Sequence, residues 1–255
     1  MRQEPSHRSE LVNQLLFGDV FEILEQQPEW VHIKLTYDHY QGWVHRNQVS
    51  LLEESEWQAI RNEGSKTVST DLIQVLEDKT LNTSFAVGAA CTFPFFEKGK
   101  FSLAGKVYEY PGQVHRIEAP DPEQVVMHAM TFLNTPYLWG GRSPFGIDCS
   151  GFTQLAFKMA GIIIPRDASI QAQYGEAIHL IHEAQPGDLM FFDNEEQEIT
   201  HVGIFVNEGH IIHAHGKVRV DLIDHHGIYS RELKRYTHPL RLIRRMSGPG
   251  IKTFR

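Results

Sequence analysis

One cysteine in the second half of the chain has the surroundings of a nucleophile. Cys149 follows a glycine-rich loop that begins at Gly140 and precedes apolar residues at helical spacing, so we expect it at the cap or first turn of a helix. The helix dipole and the unpaired N–H groups there favour a thiolate. A buried cysteine that acts as a small hydrophobe is the alternative. Because polar Asp148 and Ser150 flank Cys149, we favour the reactive thiol.

Two histidines are candidates for the base that such a thiol needs and for the group that orients the base. His201 begins one predicted strand and His213 lies in the next, and Asn207-Glu208-Gly209 joins them. A three-residue turn sets Gly203 opposite His213, which places both imidazoles on one face, whereas a two-residue turn would reverse the face of His213. In the first case His215 lies opposite His201. The sequence therefore predicts a cluster of histidines beside the cysteine.

Composition limits the classes of partner. The chain has 255 residues, which predicts two or three modules, and a net charge of −8, which disfavours nucleic acid. We interpret the basic segment from Lys234 to Arg245 as a solvated surface. Two cysteines, Cys149 and a Cys91 that we expect to be buried, fit a reducing compartment. With neither a secretory signal nor a membrane-spanning run, we expect a cytoplasmic protein without nucleic-acid or membrane partners.

Short strands dominate the first half of the chain. The alternating runs Val20–Leu24, Trp30–Leu35 and Gly42–His45 predict a small β-barrel. Their spacing after Phe17-Gly18-Asp19 resembles that of bacterial SH3-like domains.

A second module follows a helical patch at Leu51–Arg61 and a break at Gly64-Ser65. We interpret this weakly marked region as another SH3-like barrel on the basis of an internal repeat. Its predicted strands are Asp71–Leu76, Ser84–Ala90, Thr92–Phe96 and the stretch Phe101–Tyr110.

A linker with two prolines, Ile117 to Pro122, leads to a predicted helix at Glu123–Asn134 that Asp121 caps. Gly161 is the expected end of the Cys149 helix. Four strands then follow, at Asp188–Phe192, His201–Val206, His210–Ala214 and Val218–Leu222.

Three motifs give a more specific resemblance. Asp148-Cys149-Ser150-Gly151-Phe152, His201-Val202-Gly203-Ile204 and Ile212-His213-Ala214 occur in this order, and with them the chain from Asp121 to near Arg244 resembles the NlpC-type papain-like cysteine peptidases. The resemblance implies an α+β fold in which the helix bearing the cysteine packs on an antiparallel sheet, preceded here by two small SH3-like β-barrels. The expected domains are 1–60 and 61–118 for the two barrels and 119–255 for the peptidase.

The resemblance also implies roles. Cys149 is the nucleophile, His201 the base and His213 the residue that orients it, while Tyr137 helps to stabilise the oxyanion beside the Cys149 N–H. His215 adds a third histidine on the same face, so the choice of orienting residue stays open.

The sequence Tyr-Leu-Trp-Gly-Gly at 137–141, together with the SH3-like modules, resembles the cytoplasmic γ-D-glutamyl-L-diamino acid endopeptidases of murein peptide recycling. The implied substrate is a small murein peptide with a free N-terminal L-Ala. We expect no metal and no cofactor, and the sequence indicates no oligomeric state. The candidate substrate-binding residues are Asp148, Ser150, Trp139, Tyr40 and Glu10.

Asp148 has two interpretations. A carboxylate beside a catalytic cysteine opposes thiolate formation, and the ammonium group of a bound substrate would offset that repulsion. Helix capping is the alternative, and both roles are compatible.

Three other functions are open at this point. His201, His213 and His215 have the donor chemistry of a zinc site in a metal-dependent hydrolase. A non-catalytic protein that binds cell-wall peptides is the second possibility. The third is an acyltransferase on the same fold, because any nucleophile can resolve a thioacyl enzyme.

Overall fold

The computed structural model describes residues 1–63, 67–207, 209–247 and 252–253, which divide by their contacts into two compact units. The first unit is Met1–Ala119 and the second is Pro120–Thr253, so the boundary falls in the predicted linker. The predicted break at Gly64-Ser65 lies outside the described residues. In the part of the chain that is described, no helix combines the length and apolar character needed to cross a bilayer.

The first unit begins with a three-stranded antiparallel sheet. Its strands, in spatial order, are β1 (Phe21–Gln26), β2 (Trp30–Leu35) and β3 (Gln41–His45). Alternate side chains of β2 point inward, because successive residues of a strand face opposite sides. Val31, Ile33 and Leu35 are accordingly buried in a small core with Val44 of β3.

The rest of the first unit holds one helix and two further sheets. The elements are α1 (Glu54–Glu63), β4 (Thr67–Ser69), β5 (Ile73–Asp78), β6 (Thr83–Gly88), β7 (Lys100–Leu103), β8 (Lys106–Glu109) and β9 (Val114–Arg116). A four-stranded sheet has the order β6-β5-β8-β7, and a two-stranded sheet pairs β4 with β9.

Two sequence predictions for this region need correction. The predicted strand Thr92–Phe96 is wrong, because only a single bridge from Thr92 to Val68 forms there. The predicted stretch Phe101–Tyr110 is a hairpin, since Ala104 and Gly105 both have positive φ and reverse the chain. The SH3-like identity of this second region, and the boundary near residue 60, stay predictions.

The second unit starts with its helices. The elements are α2 (Val125–Thr131), β10 (Arg142–Ser143), β11 (Gly146–Ile147), α3 (Cys149–Met159), β12 (Ile162–Ile163) and α4 (Ala168–Gln171). A short 3₁₀ turn before α2 is capped by Asp121, whose side chain accepts from the Glu123 N–H at 3.1 Å. Gly161 has φ +78° directly after the end of α3. The cap at Asp121 and the glycine after α3 confirm the sequence predictions, whereas α2 is shorter than the predicted helix Glu123–Asn134 and ends at Thr131.

The remaining strands of the second unit are β13 (Glu176–Ile178), β14 (Leu189–Asp193), β15 (Ile199–Asn207), β16 (His210–His215), β17 (Lys217–Asp224), β18 (Gly227–Ser230), β19 (Arg235–Arg245) and β20 (Lys252–Thr253), the last of which pairs with β12. The first seven form an antiparallel sheet in the order β13-β19-β14-β15-β16-β17-β18. β18 also pairs with β19, so six of the strands form a closed ring of pairings. Helix α3 packs against β15 and β16.

The four predicted strands of this unit are β14 to β17, but β19 was missed. Its segment was interpreted as a solvated basic surface, yet it lies inside the sheet between β13 and β14. Two of its arginines pair with carboxylates of the same unit: Arg245 donates to Asp188 at 2.8 and 2.9 Å, and Arg241 Nε lies 3.4 Å from Asp193 Oδ2. Alternation along β19 also leaves Ile243 buried.

The register of β15 and β16 confirms the predicted pairing of Gly203 with His213, but the turn differs from the prediction. Asn207 pairs with His210, so the connection has two residues, and a bulge at Val206 restores the register. Glu208 in this connection lies outside the described residues. Gly203 is required here because a Cβ on it would lie 2.9 Å from the His213 Cβ.

Candidate active site

Cys149 is the first residue of α3, as predicted, and Asp148 is the N-cap. The Asp148 carboxylate accepts from the Gly151 N–H at 2.7 Å, which satisfies one of the unpaired donors of the first turn. Gly151 is needed for a close approach, since a Cβ there would lie 2.5 Å from the Gly141 carbonyl oxygen. The glycine loop and the helix start are thus held together around the cysteine.

A buried ion pair lies directly beside the thiol. Arg166, in the loop before α4, donates to Asp148 Oδ1 at 2.9 Å and to Oδ2 at 2.6 Å, in a bidentate arrangement. It also donates to Ser150 Oγ at 2.9 Å, while the Gly140 N–H donates to Asp148 Oδ2 at 2.9 Å. The carboxylate therefore has protein partners on both oxygens. The cap interpretation of Asp148 is confirmed, and Arg166 already supplies the positive charge that we expected from a substrate ammonium.

Cys149 is 5% exposed. Burial raises the pKa of its thiol to about 12 with a further contribution from Asp148, whereas the N–H groups of Val202 and Ser150 and the charge of Arg166 act in the opposite direction. The expected thiolate is therefore wrong for the resting protein, because desolvation outweighs the helix terminus. Val202 belongs to β15, so the thiol lies against the strand that also carries His201.

His201 and His213 form a direct hydrogen bond. His201 Nε2 lies 2.8 Å from His213 Nδ1, and both residues are buried. The other nitrogen of His213, Nε2, lies 3.0 Å from Asp221 Oδ2 on β17. Arg219 holds that carboxylate, with Nε 2.8 Å from Oδ2 and Nη2 donating to Oδ1 at 3.0 Å. The two predicted histidines thus belong to a longer hydrogen-bonded chain that ends in an ion pair.

Two more imidazoles surround this pair. The ring of His238, from β19, has its centroid 4.4 Å from that of His201, and the ring of His215 is 6.4 Å from His201. The ring of Phe192 packs against His201, with the two ring centroids 5.7 Å apart. His215 lies on the predicted face but is exposed and makes no hydrogen bond to His201.

These surroundings keep the imidazoles neutral. Burial lowers the pKa of His201 well below its usual value, and His213, His238 and His215 add to this effect. Burial also lowers the pKa of His238, to about 4. For His213, burial lowers the pKa although Asp221 acts in the opposite direction. At neutral pH His201, His213 and His238 are therefore uncharged.

Tyr137 lies close to two acidic groups, Cys149 and Asp148. Burial raises the pKa of the phenol and these two groups raise it further, so the hydroxyl stays a neutral donor. Its backbone is fixed by a hydrogen bond from its N–H to the Gly216 carbonyl at 3.0 Å. A neutral O–H donor near the thiol is compatible with the predicted oxyanion role.

The predicted substrate-binding residues fall into two groups. Ser150 and Asp148 are buried beside the thiol, and Trp139, in the loop that leads to it, is 60% exposed. Glu10 is exposed and Tyr40 is half-buried, and both belong to the first unit. Substrate roles for all five stay predictions.

The described residues contain no group of three or more His, Cys, Asp or Glu side chains arranged to hold a metal ion. Cys91 is buried in the first unit, as expected, and its backbone N–H donates to Ser69 Oγ at 3.0 Å.

A thiol at the start of a buried helix, packed on an antiparallel sheet that bears hydrogen-bonded histidines, defines a papain-like cysteine peptidase, a class of hydrolase. Residues 134–237 match the NlpC/P60 family model, and residues 1–49 match that of the bacterial dipeptidyl-peptidase Sh3 domain. The chain belongs to the NlpC/P60 family, and its fold is mostly β with few helices.

Relatives support this membership over most of the chain. A Bacillus subtilis (strain 168) protein named gamma-D-glutamyl-L-lysine dipeptidyl-peptidase is 31% identical over 222 residues, which cover 79% of this chain and 71% of that protein. Dipeptidyl-peptidase 6 of Lysinibacillus sphaericus is 29% identical and covers 90% of this chain and 91% of its own length. A crystal structure of a NlpC/P60 family protein from Bacillus cereus ATCC 10987 has a TM-score of 0.76 at 23% identity, covering 91% of this chain and 81% of that one, and supports the fold.

Sequence reasoning missed three residues of the site. Arg166, Asp221 and His238 reach Cys149 and the histidine pair only through the tertiary fold, because Arg166 lies 17 residues after Cys149, and Asp221 and His238 lie 8 and 25 residues after His213. Asp221 alone had a usable signal, because it lies on a strand that was predicted to follow the strand of His213. The other two lie in a loop and in the missed strand.

Proposed function

We propose that this protein hydrolyses the bond between γ-D-Glu and an L-diamino acid in small murein-derived peptides that have a free N-terminal L-Ala. The observation that carries the proposal is the hydrogen-bonded pair His201–His213 beside a buried Cys149 at the start of α3. The name of the Bacillus subtilis relative supports the choice of bond. Peptide recycling in the cytoplasm, and a second SH3-like barrel at 61–118, belong to the same proposal.

The reaction starts from a neutral pair. His201 takes the proton of the Cys149 thiol as the sulfur attacks the γ-carbonyl carbon of D-Glu, and a tetrahedral oxyanion forms. The Cys149 N–H and the Tyr137 hydroxyl donate to that oxyanion. His201 then gives its proton to the departing amine of the diamino acid. Water attacks the thioester, with His201 taking its proton, and Cys149 is restored as a thiol when L-Ala-γ-D-Glu leaves.

Formation of the thiolate only when substrate binds agrees with the burial of both the thiol and the base. The pKa of the thiol is raised and that of His201 is lowered, so charge separation is unfavourable while the site is empty. When substrate is bound, hydrogen bonds from the oxyanion donors to the developing negative charge offset the cost of this charge separation in the transition state. His201 also has a low enough pKa to remain a free base under mildly acidic conditions.

The substrate amine is proposed to be read beside the thiol. Arg166 occupies both oxygens of Asp148, so that carboxylate pairs with the ammonium of L-Ala only in addition to its ion pair. Substrate binding by Glu10 and Tyr40 stays a prediction from the sequence. The exposed indole of Trp139 is a candidate surface for the peptide.

The test is mass spectrometry of the products formed from L-Ala-γ-D-Glu-L-Lys. We expect L-Ala-γ-D-Glu and free lysine from the wild type and neither from Cys149→Ala. N-acetylation of the substrate removes the charge that the site is proposed to read, and should lower kcat/KM about tenfold to hundredfold. Equal rates on the free and acetylated peptides would contradict amine recognition, and transfer of the dipeptide to an added amine rather than to water would favour the acyltransferase.

A further inference from the structure

The chain of hydrogen bonds that begins at His201 continues beyond His213. His213 Nε2 lies 3.0 Å from Asp221 Oδ2, and the same carboxylate oxygen lies 2.8 Å from Arg219 Nε. We propose that Asp221 is a positioning residue that fixes the direction of the hydrogen bonds from His213 to His201, and thereby decides which nitrogen of His201 is free to take the thiol proton. The inference rests on the proposed roles of Cys149 and His201.

Each bond in the chain constrains the next one. An ionised carboxylate only accepts hydrogen bonds, so His213 Nε2 must carry the proton that it donates to Asp221. A neutral His213 then has an unprotonated Nδ1, which accepts from His201 Nε2 at 2.8 Å. A neutral His201 with its proton on Nε2 has its lone pair on Nδ1. That nitrogen is therefore the one that takes the proton of Cys149.

The carboxylate is held in the charged form that this requires. Burial opposes ionisation of Asp221, but the hydrogen bonds from His213 and Arg219 outweigh it and hold the pKa of that carboxyl below its usual value. Glu232 in turn accepts from Arg219 Nη1 at 3.2 Å.

The other groups near His213 do not provide a carboxylate. They are Arg219 on β17, His201 on β15, His215 on β16 and His238 on β19. Among these described neighbours only Asp221 is an obligate acceptor, so it alone can impose the direction.

Removing the acceptor should reverse the chain. In Asp221→Leu, His213 Nε2 loses its partner and remains beside Arg219, whose guanidinium can only donate. Nε2 then becomes the acceptor and the proton of His213 moves to Nδ1. His201 Nε2 must accept in turn, which puts the proton of His201 on Nδ1. The nitrogen that serves as the base is blocked although every histidine is still present.

The direction is measurable without substrate. Nitrogen-15 NMR of protein labelled at histidine distinguishes the two neutral tautomers, and the His213 signals are assigned by their loss in His213→Gln. We expect wild-type His213 to carry its proton on Nε2, and both His213 and His201 to change tautomer in Asp221→Leu. If wild-type His213 carries its proton on Nδ1, the proposal is wrong whatever the peptidase assay gives.

Kinetics supply the second readout. Because the wrong tautomer in a serine-protease triad costs on the order of 10⁴ in kcat, and Asp221 is one imidazole further from the nucleophile, we expect Asp221→Leu to lower kcat by at least about tenfold with KM within about twofold. Asp221→Asn keeps a possible acceptor and should recover part of that loss. Asp224→Asn is the matched control: it removes a carboxylate on the same strand that binds Tyr236, and should behave as wild type.

The outcomes separate this proposal from the proposed function. Wild-type kcat and an unchanged His213 tautomer in Asp221→Leu would overturn the role of Asp221 while the peptidase mechanism stands. If Asp221→Leu does not fold, the wild-type tautomer decides. An inactive wild type with His213 protonated on Nε2 would support the relay and contradict the proposed substrate.

Discussion

Two buried polar clusters meet at Cys149, and they treat charge in opposite ways. On the side of the helix start, Asp148 and Arg166 are both buried and form a bidentate ion pair at 2.6 and 2.9 Å. On the side of the sheet, His201 and His213 are equally buried, but their pKa values are lowered and they stay neutral. The first cluster holds fixed charges, whereas the second holds protons that can move.

The difference follows from what each cluster must do. A bidentate Arg–carboxylate pair with further N–H donors is fully satisfied, so it fixes the loop and the helix start in one geometry. Protonation is unfavourable for imidazoles that are desolvated and surrounded by other imidazoles, but their two nitrogens pass a proton in a defined direction. Breaking the first cluster should therefore affect stability, and breaking the second should affect turnover.

The largest effect on turnover is expected from the base. His201→Ala should lower kcat/KM by more than about 10³-fold, because nucleophile and base act as one unit, while the melting temperature stays within a few degrees of wild type. Hydrolysis of L-Ala-γ-D-Glu-L-Lys and thermal melting measure the two quantities. His182→Ala, an exposed histidine of the same unit, is the control. Turnover near the wild-type rate in His201→Ala would remove it from the mechanism.

The largest effect on stability is expected from Arg166. Arg166→Met leaves the buried Asp148 carboxylate without its counter-charge, which should cost about 3–5 kcal/mol in the free energy of unfolding. Asp148→Asn in the same protein keeps a capping side chain and removes the stranded charge, so the double variant should be more stable than Arg166→Met alone. Urea denaturation measures this. A loss below 1 kcal/mol in Arg166→Met would mean that the pair behaves like a surface ion pair.

A smaller effect should separate the two candidate orienting histidines. His213 contacts His201 at 2.8 Å, whereas His215 is exposed and its ring is 6.4 Å away. His213→Ala should therefore lower kcat about tenfold to hundredfold, less than His201→Ala, and His215→Ala should change it by less than about threefold. Near-full activity of His213→Ala together with a severe loss in His215→Ala would transfer the orienting role to His215.

The smallest effect concerns acid stability. Because the pKa of His238 falls to about 4 in the folded protein, the unfolded chain takes up a proton there between pH 6.5 and 4 that the folded chain does not. Stability is therefore lost as the pH falls through this window. His238→Phe keeps an aromatic ring without the titration, and should lose less stability between pH 7 and 4.5 than wild type, by about 1–2 kcal/mol after allowance for partial exposure. Urea denaturation at pH 7 and pH 4.5 measures the loss for each protein. If wild type and His238→Phe lose the same free energy of unfolding, His238 does not contribute to acid destabilisation.

Local signals predicted the elements that carry the central chemistry. The helical spacing after Ser150 and the glycine at 161 predicted α3, and an assumed three-residue turn predicted the register of His213 with Gly203. That register was obtained with the wrong turn, because a bulge at Val206 compensates for the shorter connection.

Long-range electrostatics could not be read in the same way. The thiolate expected at the helix terminus does not form in the resting protein, because the sequence does not reveal how deeply Cys149 is buried. The ion pair of Arg166 with Asp148 joins residues 18 positions apart, and such a contact has no periodicity. β19 was missed because its arginines resemble a solvated surface until their partners on other strands are known.

The most direct test of the account is the stoichiometry of inactivation by a thiol reagent. The protein is treated with iodoacetamide, the modified fraction of Cys149 is measured by peptide mass spectrometry, and the remaining hydrolysis of L-Ala-γ-D-Glu-L-Lys is measured on the same samples. We expect activity to fall in direct proportion to Cys149 modification, with Cys91 unmodified and with no effect of a chelator on untreated enzyme. Full activity in protein whose Cys149 is completely modified, or loss of activity to the chelator with the thiol intact, would contradict a cysteine peptidase mechanism.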